Sequence, residues 1–146
     1  MWRGYTVQSN IPQIHVRYPS DNKLAELYSQ AGVLLFTSRH EGFGLLPLEA
    51  MACGLPVVCT DSDGNMEHCI DGETALVRSI TNDLASACVE VMSDKALWNR
   101  LSANGLAMAE RYRWPNVIDK LEELYLGEEH TWRHFQQIAA PQPVAQ

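Results

Sequence analysis

The pattern of apolar and polar residues is typical of strands in some segments of the chain and of amphipathic helices in others. One segment alternates apolar and polar side chains, and three others are short apolar runs, typical of parallel strands covered on both faces. The predicted strands cover residues 11–18, 33–36, 57–60 and 74–77. Between and after them, apolar residues recur at helical spacing. The predicted helices cover residues 22–30, 47–53, 82–92, 95–110 and 115–126.

This order of strands and helices predicts an α/β fold, with a Rossmann-like parallel sheet and flanking helices. Ser20 or Asp21 is placed to cap the first helix. We expect Trp98 and Trp114 to pack against the core rather than to stack on a ligand. Residues 127–146 are more polar and end in Ala-Pro-Gln-Pro-Val-Ala-Gln, which predicts a flexible tail.

The acidic charge of the chain argues against some classes of function. Its 146 residues suit one domain, and the net charge of −7 with a pI near 5.1 argues against a nucleic-acid-binding protein. An acidic balance also argues against an unspecific electrostatic grip on anionic membranes. We find no charged-then-apolar leader and no apolar run long enough to span a bilayer, so a cytoplasmic protein is expected.

The four cysteines point to the same compartment. Cys53, Cys59, Cys69 and Cys88 form no Cys-x-x-Cys pair, so a zinc site is not expected. Cys53 and Cys59 lie in apolar runs, where reduced core residues are the simplest interpretation. Reduced cysteines are typical of a reducing compartment.

Two carboxylates bracket a glycine loop in the middle of the chain. Glu41 precedes Gly42 and Gly44, and Glu49 follows after seven intervening residues, in what is predicted to be the first turn of a helix. Pro47 suits the first helical position, because its missing N–H would be unpaired there anyway. Both carboxylates are therefore expected to face the same helix N-terminus.

This arrangement suggests a ligand with phosphates and hydroxyls. No capping side chain stands near Leu45 or Leu46, so the first helical N–H groups are open to a phosphate. Carboxylates accept hydrogen bonds from sugar or ribose hydroxyls. A sugar nucleotide has both groups. From these features alone a purely structural interpretation stays open. A Gly-x-Gly loop by itself is weak evidence for a ligand site, and Glu49 could simply be a first-turn glutamate that the helix dipole favours.

Residues 38–58, SRHEGFGLLPLEAMACGLPVV, resemble the donor-site signature of glycosyltransferase family 4, retaining enzymes with the GT-B fold. Residues 24–31 resemble the helix before that signature, and residues 67–77 resemble the segment after it. Residues 111–114, Arg-Tyr-Arg-Trp, resemble the aromatic start of a late helix of the family. The resemblance covers roughly residues 12 to 126.

The resemblance implies a fold of two Rossmann-like domains, with the acceptor domain first, the donor domain second and the active site between them. Residues 1–126 are accordingly predicted to form a partial donor domain that corresponds only to the later part of the family's domain. The acceptor domain is then expected to be missing, together with the first strand and helix of the donor domain. That missing portion carries the family's Arg and Lys that neutralise the diphosphate, and no residue here matches them.

The implied activity is transfer of a sugar from a nucleoside diphosphate sugar, with retention at the anomeric carbon and no required metal or other cofactor. Glu41 would be the catalytic-site residue that contacts donor-sugar hydroxyls, and Glu49 would accept from the ribose. Backbone N–H groups around Phe43 would meet the sugar and the distal phosphate. The donor-binding residues implied by the resemblance are Gly42, Phe43, Gly44, Leu45, Glu49, Arg17 and Tyr18.

Arg17 and Tyr18 match the region that lines the base, at the end of the first predicted strand. The sequence departs from the family at Asp63, where one of two glycines is replaced by a carboxylate. This carboxylate would repel a nearby diphosphate unless it points away or meets a sugar hydroxyl.

Two classes of function stay open. One is the donor half of an enzyme, which needs an acceptor domain or partner chain and, in full length, could act at a membrane face. The other is a non-catalytic module that binds a nucleotide sugar or a protein. A third alternative is a remnant that folds but binds no ligand. We expect the isolated chain to be inactive, since one wall of a cleft cannot exclude water. An unpaired sheet edge also predicts self-association.

Overall fold

Three parallel strands form the centre of the structure, a computed structural model that describes residues 10–79 and 83–126. The strands are β1 (Leu34–Phe36), β2 (Val57–Thr60) and β3 (Ala75–Arg78), paired in that order. The helices are α1 (Asp21–Gln30), α2 (Leu45–Ala52), α3 (Leu84–Ser93), α4 (Lys95–Glu110) and α5 (Trp114–Leu126), with a short 3-10 helix at Gly64–Glu67. This Rossmann-like α/β architecture confirms the predicted fold class.

The central strand β2 carries the core on both of its faces. Val57 pairs with Leu34 on one side and with Ala75 on the other, and all four residues of β2 are buried. Successive strand side chains point to opposite faces, so Val57 and Cys59 enter one cluster while Val58 enters another. Helices α1 and α2 with the end of α4 cover the first face, and α3 with the start of α4 covers the second.

Helix α4 fixes α2 against the sheet. A Cβ placed on Gly105 would lie 3.1 Å from Met51 Cγ, so the missing side chain lets α4 pack closely on α2. Ser102 Oγ also donates to Gly54 O over 2.7 Å. The end of α2 and the entry to β2 are therefore both held by α4.

Serine and aspartate side chains cap α1, α3 and α4. Ser20 caps α1 and accepts from Lys23 N at 3.4 Å, as one of the two predicted capping residues. Asp94 Oδ1 accepts from Ala96 N and Leu97 N at 2.8 and 3.0 Å, which orders the start of α4. All five predicted helices are present, with boundaries shifted by at most two residues at their starts.

The predicted strand at residues 11–18 is wrong. This segment has no strand geometry, and its apolar residues Ile14 and Val16 are 89% and 41% exposed. A strand needs a ladder partner for its backbone groups, and no described strand lies beside this segment. The described sheet therefore has three strands rather than four.

Two packing predictions are also wrong. Trp114 is 76% exposed, because it opens α5 on a helix face that no described element covers. Cys53 is exposed, since it follows α2 on the same solvent-facing side as Glu49. Cys59 is buried as predicted, and all four cysteines are free.

Other predictions lie beyond what the structure tests. The predicted tail at residues 127–146 lies outside the described residues. Self-association stays a prediction. In residues 10–79 and 83–126, no helix is long and apolar enough to cross a membrane.

Trp98 and Trp114 provide a matched test of this packing. Trp98 is half-buried against the α3–α4 face of the sheet, and its indole N–H donates to Gly32 O over 2.8 Å. We expect Trp98→Ala to lower the free energy of unfolding by about 2 kcal/mol, and Trp114→Ala by no more than about 0.5 kcal/mol. Urea unfolding of the two variants measures this. Equal losses would show that α5 packs differently from the structure.

Candidate functional site

Helix α2 begins at a glycine rather than at a capping side chain. Gly44 is its N-cap with a φ of +83°, in the left-handed region that glycine adopts without strain, and no side chain caps the helix. The chain therefore enters the helix at Leu45, two residues earlier than predicted. Pro47 becomes its third residue and Glu49 its fifth, so the prediction that Glu49 lies in the first turn is wrong.

The loop before α2 presents unpaired backbone N–H groups. Within residues 10–79 and 83–126, no N–H group from Gly42 to Leu46 donates to another residue. This loop borders a pocket of about 280 Å³. The pocket is lined by Phe36, Glu41, Phe43, Gly44, Leu45 and Leu46. The structure thus brings Glu41 together with most of the predicted loop residues.

Glu41 is held in place by its backbone. Its N–H donates to Ser62 O at 2.9 Å, and its carbonyl accepts from Gly64 N at 3.1 Å. A Cβ on Gly64 would lie 2.3 Å from Gly42 O, so only glycine permits this approach. The carboxylate of Glu41 makes no hydrogen bond or ion pair in the described part of the chain, which leaves it open to a hydroxyl donor.

Asp63, which departs from the family pattern, forms a strained turn. It has a φ of +67° and a ψ of −86°, and Gly64 N bonds Ser62 O across it at 3.1 Å, which together define a γ-turn. Its side chain is 82% exposed, with Oδ2 3.6 Å from His40 Nδ1. The carboxylate therefore lies in solvent beside His40 and does not line the pocket at the start of α2.

The loop after β2 is held by a buried amide that the sequence did not single out. Asn65 is completely buried, and its Oδ1 accepts from Ser62 N and Ser62 Oγ at 3.1 and 2.9 Å. Its Nδ2 donates to Thr60 O at 2.9 Å, and the hydroxyl of Thr60 donates to Ser38 O. Side chains thus join the loops that follow β1 and β2.

Glu49 lies at a different pocket from Glu41. This pocket of about 260 Å³ lies between α1 and α2, with Asp21, Leu24 and Tyr28 on its α1 side. The Tyr28 hydroxyl donates to Glu49 Oε2 over 3.3 Å. Burial and the charge of Glu49 raise the pKa of Tyr28 to about 12, so the hydroxyl stays protonated and remains a donor.

The structure does not bring Arg17 and Tyr18 to either pocket. Both side chains are exposed, and Tyr18 is 99% accessible with a positive φ of 50°. The strand end on which they were expected to stand is absent. Elsewhere at the carboxyl ends of the strands, Arg39 lines a further pocket with Asp61. Within the described ranges, no group of three or more His, Cys, Asp or Glu side chains could hold a metal ion.

His68 supports the glycine loop from inside. It is fully buried, and its Nε2 lies 3.1 Å from Gly44 O, which it reaches as an N–H donor. Its ring contacts Phe43 and Tyr112, with centroids 5.1 and 6.1 Å away. Burial lowers the pKa of His68, opposed by the Gly44 hydrogen bond and the charge of Glu67. The sequence did not reveal this residue, because a single histidine in a loop carries no pattern.

The lowered pKa of His68 predicts how stability depends on pH. Above the usual histidine pKa of 6.5 neither state is protonated; below it, the unfolded chain binds a proton that the folded chain resists. Stability should therefore fall as the pH drops from 6.5 towards the lower folded-state pKa. We expect His68→Leu to be less stable than the wild type but to lose less stability between about pH 7 and about pH 5.

Urea unfolding at a series of pH values measures this effect, with His15→Gln as the control because His15 is exposed. Wild-type and His68→Leu curves that run parallel over the whole range would contradict the assignment.

Comparisons with known proteins agree with this architecture. The family described as "Glycosyl transferases group 1" matches residues 9–108. The O-antigen chain mannosyltransferase B of Escherichia coli is 36% identical over 113 residues, which cover 76% of this chain and 29% of that enzyme. The chain spans only 24% to 36% of the length of the first curated relatives that it matches.

Solved structures show the same fold. Sucrose-phosphate synthase from Thermosynechococcus elongatus matches with a TM-score of 0.65 and 33% identity, over 71% of this chain and 27% of that one. Anabaena HepE, solved with UDP and glucose, matches with a TM-score of 0.62 and 24% identity, over 70% of this chain and 29% of that one. The family match covers well over half of the sequence, and the chain therefore belongs to the group 1 glycosyl transferases, with a fold of the GT-B type.

Proposed function

We propose that this chain is the donor-binding part of a retaining glycosyltransferase of family 4, which transfers a sugar from a nucleoside diphosphate sugar to an acceptor. The observation that carries the proposal is the unpaired carboxylate of Glu41 beside the free N–H groups at the start of α2. A carboxylate accepts from sugar hydroxyls, and a helix N-terminus with free N–H groups favours a phosphate. In this proposal the sugar and the phosphate attached to it find complementary groups within one pocket.

Each site residue has a separate task in this proposal. Glu41 binds hydroxyls of the donor sugar and orients it. The N–H groups of Phe43, Gly44 and Leu45 face the sugar and the distal phosphate, where they stabilise negative charge on the leaving diphosphate. These groups are fixed before the ligand arrives, so little reorganisation is needed when charge develops.

Glu49 binds the ribose in the pocket between α1 and α2. The Tyr28 hydroxyl occupies one lone pair of its carboxylate and limits its rotation, which leaves other lone pairs for the ribose hydroxyls. Arg17 and Tyr18 remain assigned to the base from the sequence alone, since neither contacts the two pockets.

The relatives support a sugar nucleotide as the ligand. HepE, whose fold this chain shares, has been solved with UDP-glucose, and the E. coli relative is named as a mannosyltransferase. In this proposal the reaction needs no metal, and an acceptor domain or a partner chain binds the acceptor substrate.

Titration calorimetry with UDP, GDP, ADP and one sugar nucleotide of each tests donor binding. We expect one base to be preferred. Glu49→Gln should weaken both the nucleotide and its sugar form by about tenfold, because both contain the ribose. Glu41→Gln should weaken only the sugar form. Glu123→Gln, on the exposed surface of α5, is the matched control and should change neither.

A folded wild-type chain that binds none of the six ligands would contradict the donor-binding proposal. Equal effects of Glu41→Gln on the nucleotide and on its sugar form would contradict the role given to Glu41.

A second candidate is a non-catalytic module that binds a nucleotide sugar or a partner protein. The observation that favours it is the charge of the pocket at the start of α2: Glu41 lines this pocket, and no described Arg or Lys that would stabilise a leaving diphosphate lines it. Incubation with a labelled sugar nucleotide and candidate acceptors addresses catalysis, with Glu41→Ala as the inactive control. We expect no transfer by this chain alone. Transfer that disappears in Glu41→Ala would show that the chain is a complete catalyst.

A further inference from the structure

A buried histidine contacts the candidate phosphate loop without lining the pocket itself. His68 is completely buried, and its Nε2 lies 3.1 Å from Gly44 O. The acceptor is a carbonyl oxygen, so Nε2 carries the proton and donates. Nδ1 is buried without any partner, which favours the neutral ring with its proton on Nε2. The histidine thus acts on the loop as a fixed hydrogen-bond donor.

Because the peptide bond is planar, the direction of the Gly44 carbonyl also fixes the direction of the Leu45 N–H. Gly44 C=O and Leu45 N–H belong to one planar trans peptide, in which the oxygen and the hydrogen point in opposite directions. Because the carbonyl points inward to His68, the N–H of Leu45 points the other way. That N–H has no partner in the described residues, and Leu45 lines the pocket that contains Glu41.

The ring of His68 is itself held in position. Phe43 and Tyr112 contact it, and they contact each other with centroids 5.5 Å apart. Tyr112 is anchored by its hydroxyl, which donates to Glu67 Oε1 at 3.0 Å. The imidazole therefore cannot turn away without displacing an aromatic cluster that includes a residue of the loop itself.

We propose that His68 is a positioning residue that fixes the Gly44–Leu45 peptide and so directs the Leu45 N–H at the distal phosphate of the donor. This inference rests on the proposed function, since it assigns that N–H to a phosphate. It differs from a purely core-filling role, in which any side chain of similar volume would serve. The inference predicts that a donor at this position matters and that the ring as such does not.

Two variants separate these roles. His68→Leu fills much of the space and removes the donor, whereas His68→Gln keeps an N–H donor of similar reach. We expect His68→Leu to raise the Kd for UDP, or for the base that the wild type prefers, by about tenfold. The Kd for the corresponding nucleoside, which lacks phosphates, should change by less than about twofold, and His68→Gln should recover most of the lost affinity. Circular dichroism confirms that each variant is folded.

Equal weakening of nucleoside and nucleoside diphosphate in His68→Leu would overturn the proposal, and so would failure of His68→Gln to recover any affinity.

A second measurement does not depend on binding. Amide ¹⁵N relaxation of the ligand-free chain should show a rigid Leu45 N–H in the wild type and in His68→Gln, and a more mobile one in His68→Leu. Leu126, at the end of α5, serves as a distant reference. An unchanged Leu45 order parameter in His68→Leu would refute the positioning role. If the wild type binds no nucleotide, the proposed function fails, and the relaxation data still decide whether His68 fixes this peptide.

Discussion

The contact between Gly64 and the backbone of Glu41 and Gly42 is the constraint on which the site depends. A Cβ at Gly64 would lie 2.3 Å from Gly42 O and 2.6 Å from Glu41 O, so any other residue would force the two loops apart. With glycine, Gly64 N donates to Glu41 O while Glu41 N donates to Ser62 O. The loops after β1 and β2 thereby form one surface, and the backbone of Glu41 is fixed beside the start of α2.

Buried polar side chains hold this surface in a single arrangement. Asn65 satisfies both ends of its amide, and His68 donates to Gly44 O. Leaving a buried polar group unpaired costs about 1–3 kcal/mol, so alternative loop conformations that break these bonds are disfavoured. Within the described residues, the N–H groups from Gly42 to Leu46 stay unpaired because α2 begins at Gly44 without a capping side chain. The carbonyl of Gly44 and the ring of Phe43 are meanwhile held by contacts with His68.

The sequence predicted the ligand-accessible loop around Glu41 better than it predicted the buried side chains that support this loop. Glycine spacing after an apolar strand was enough to place Glu41 beside a helix start. It could not reveal that Gly44 takes a positive φ and begins α2 early, because a glycine permits several conformations. The strand predicted at residues 11–18 failed because local alternation does not supply a ladder partner. The burial of Trp114 and of His68 likewise depends on tertiary contacts. Trp114 is exposed because no described element packs on it, and His68 is buried because other residues surround it.

The charge lining the pocket limits what this part of the chain can do with a diphosphate. Glu41 lines it and no Arg or Lys does, while Arg39 shares its own pocket with Asp61. The start of a helix stabilises an anion by only about 0.3–1 kcal/mol at exposed positions. In the proposed function, the N–H groups of the loop therefore orient the diphosphate, and most of the neutralising charge comes from groups outside this pocket. In the same proposal, selectivity depends on hydroxyl contacts and on the direction of backbone N–H groups, so a residue that only sets the plane of one peptide affects donor binding.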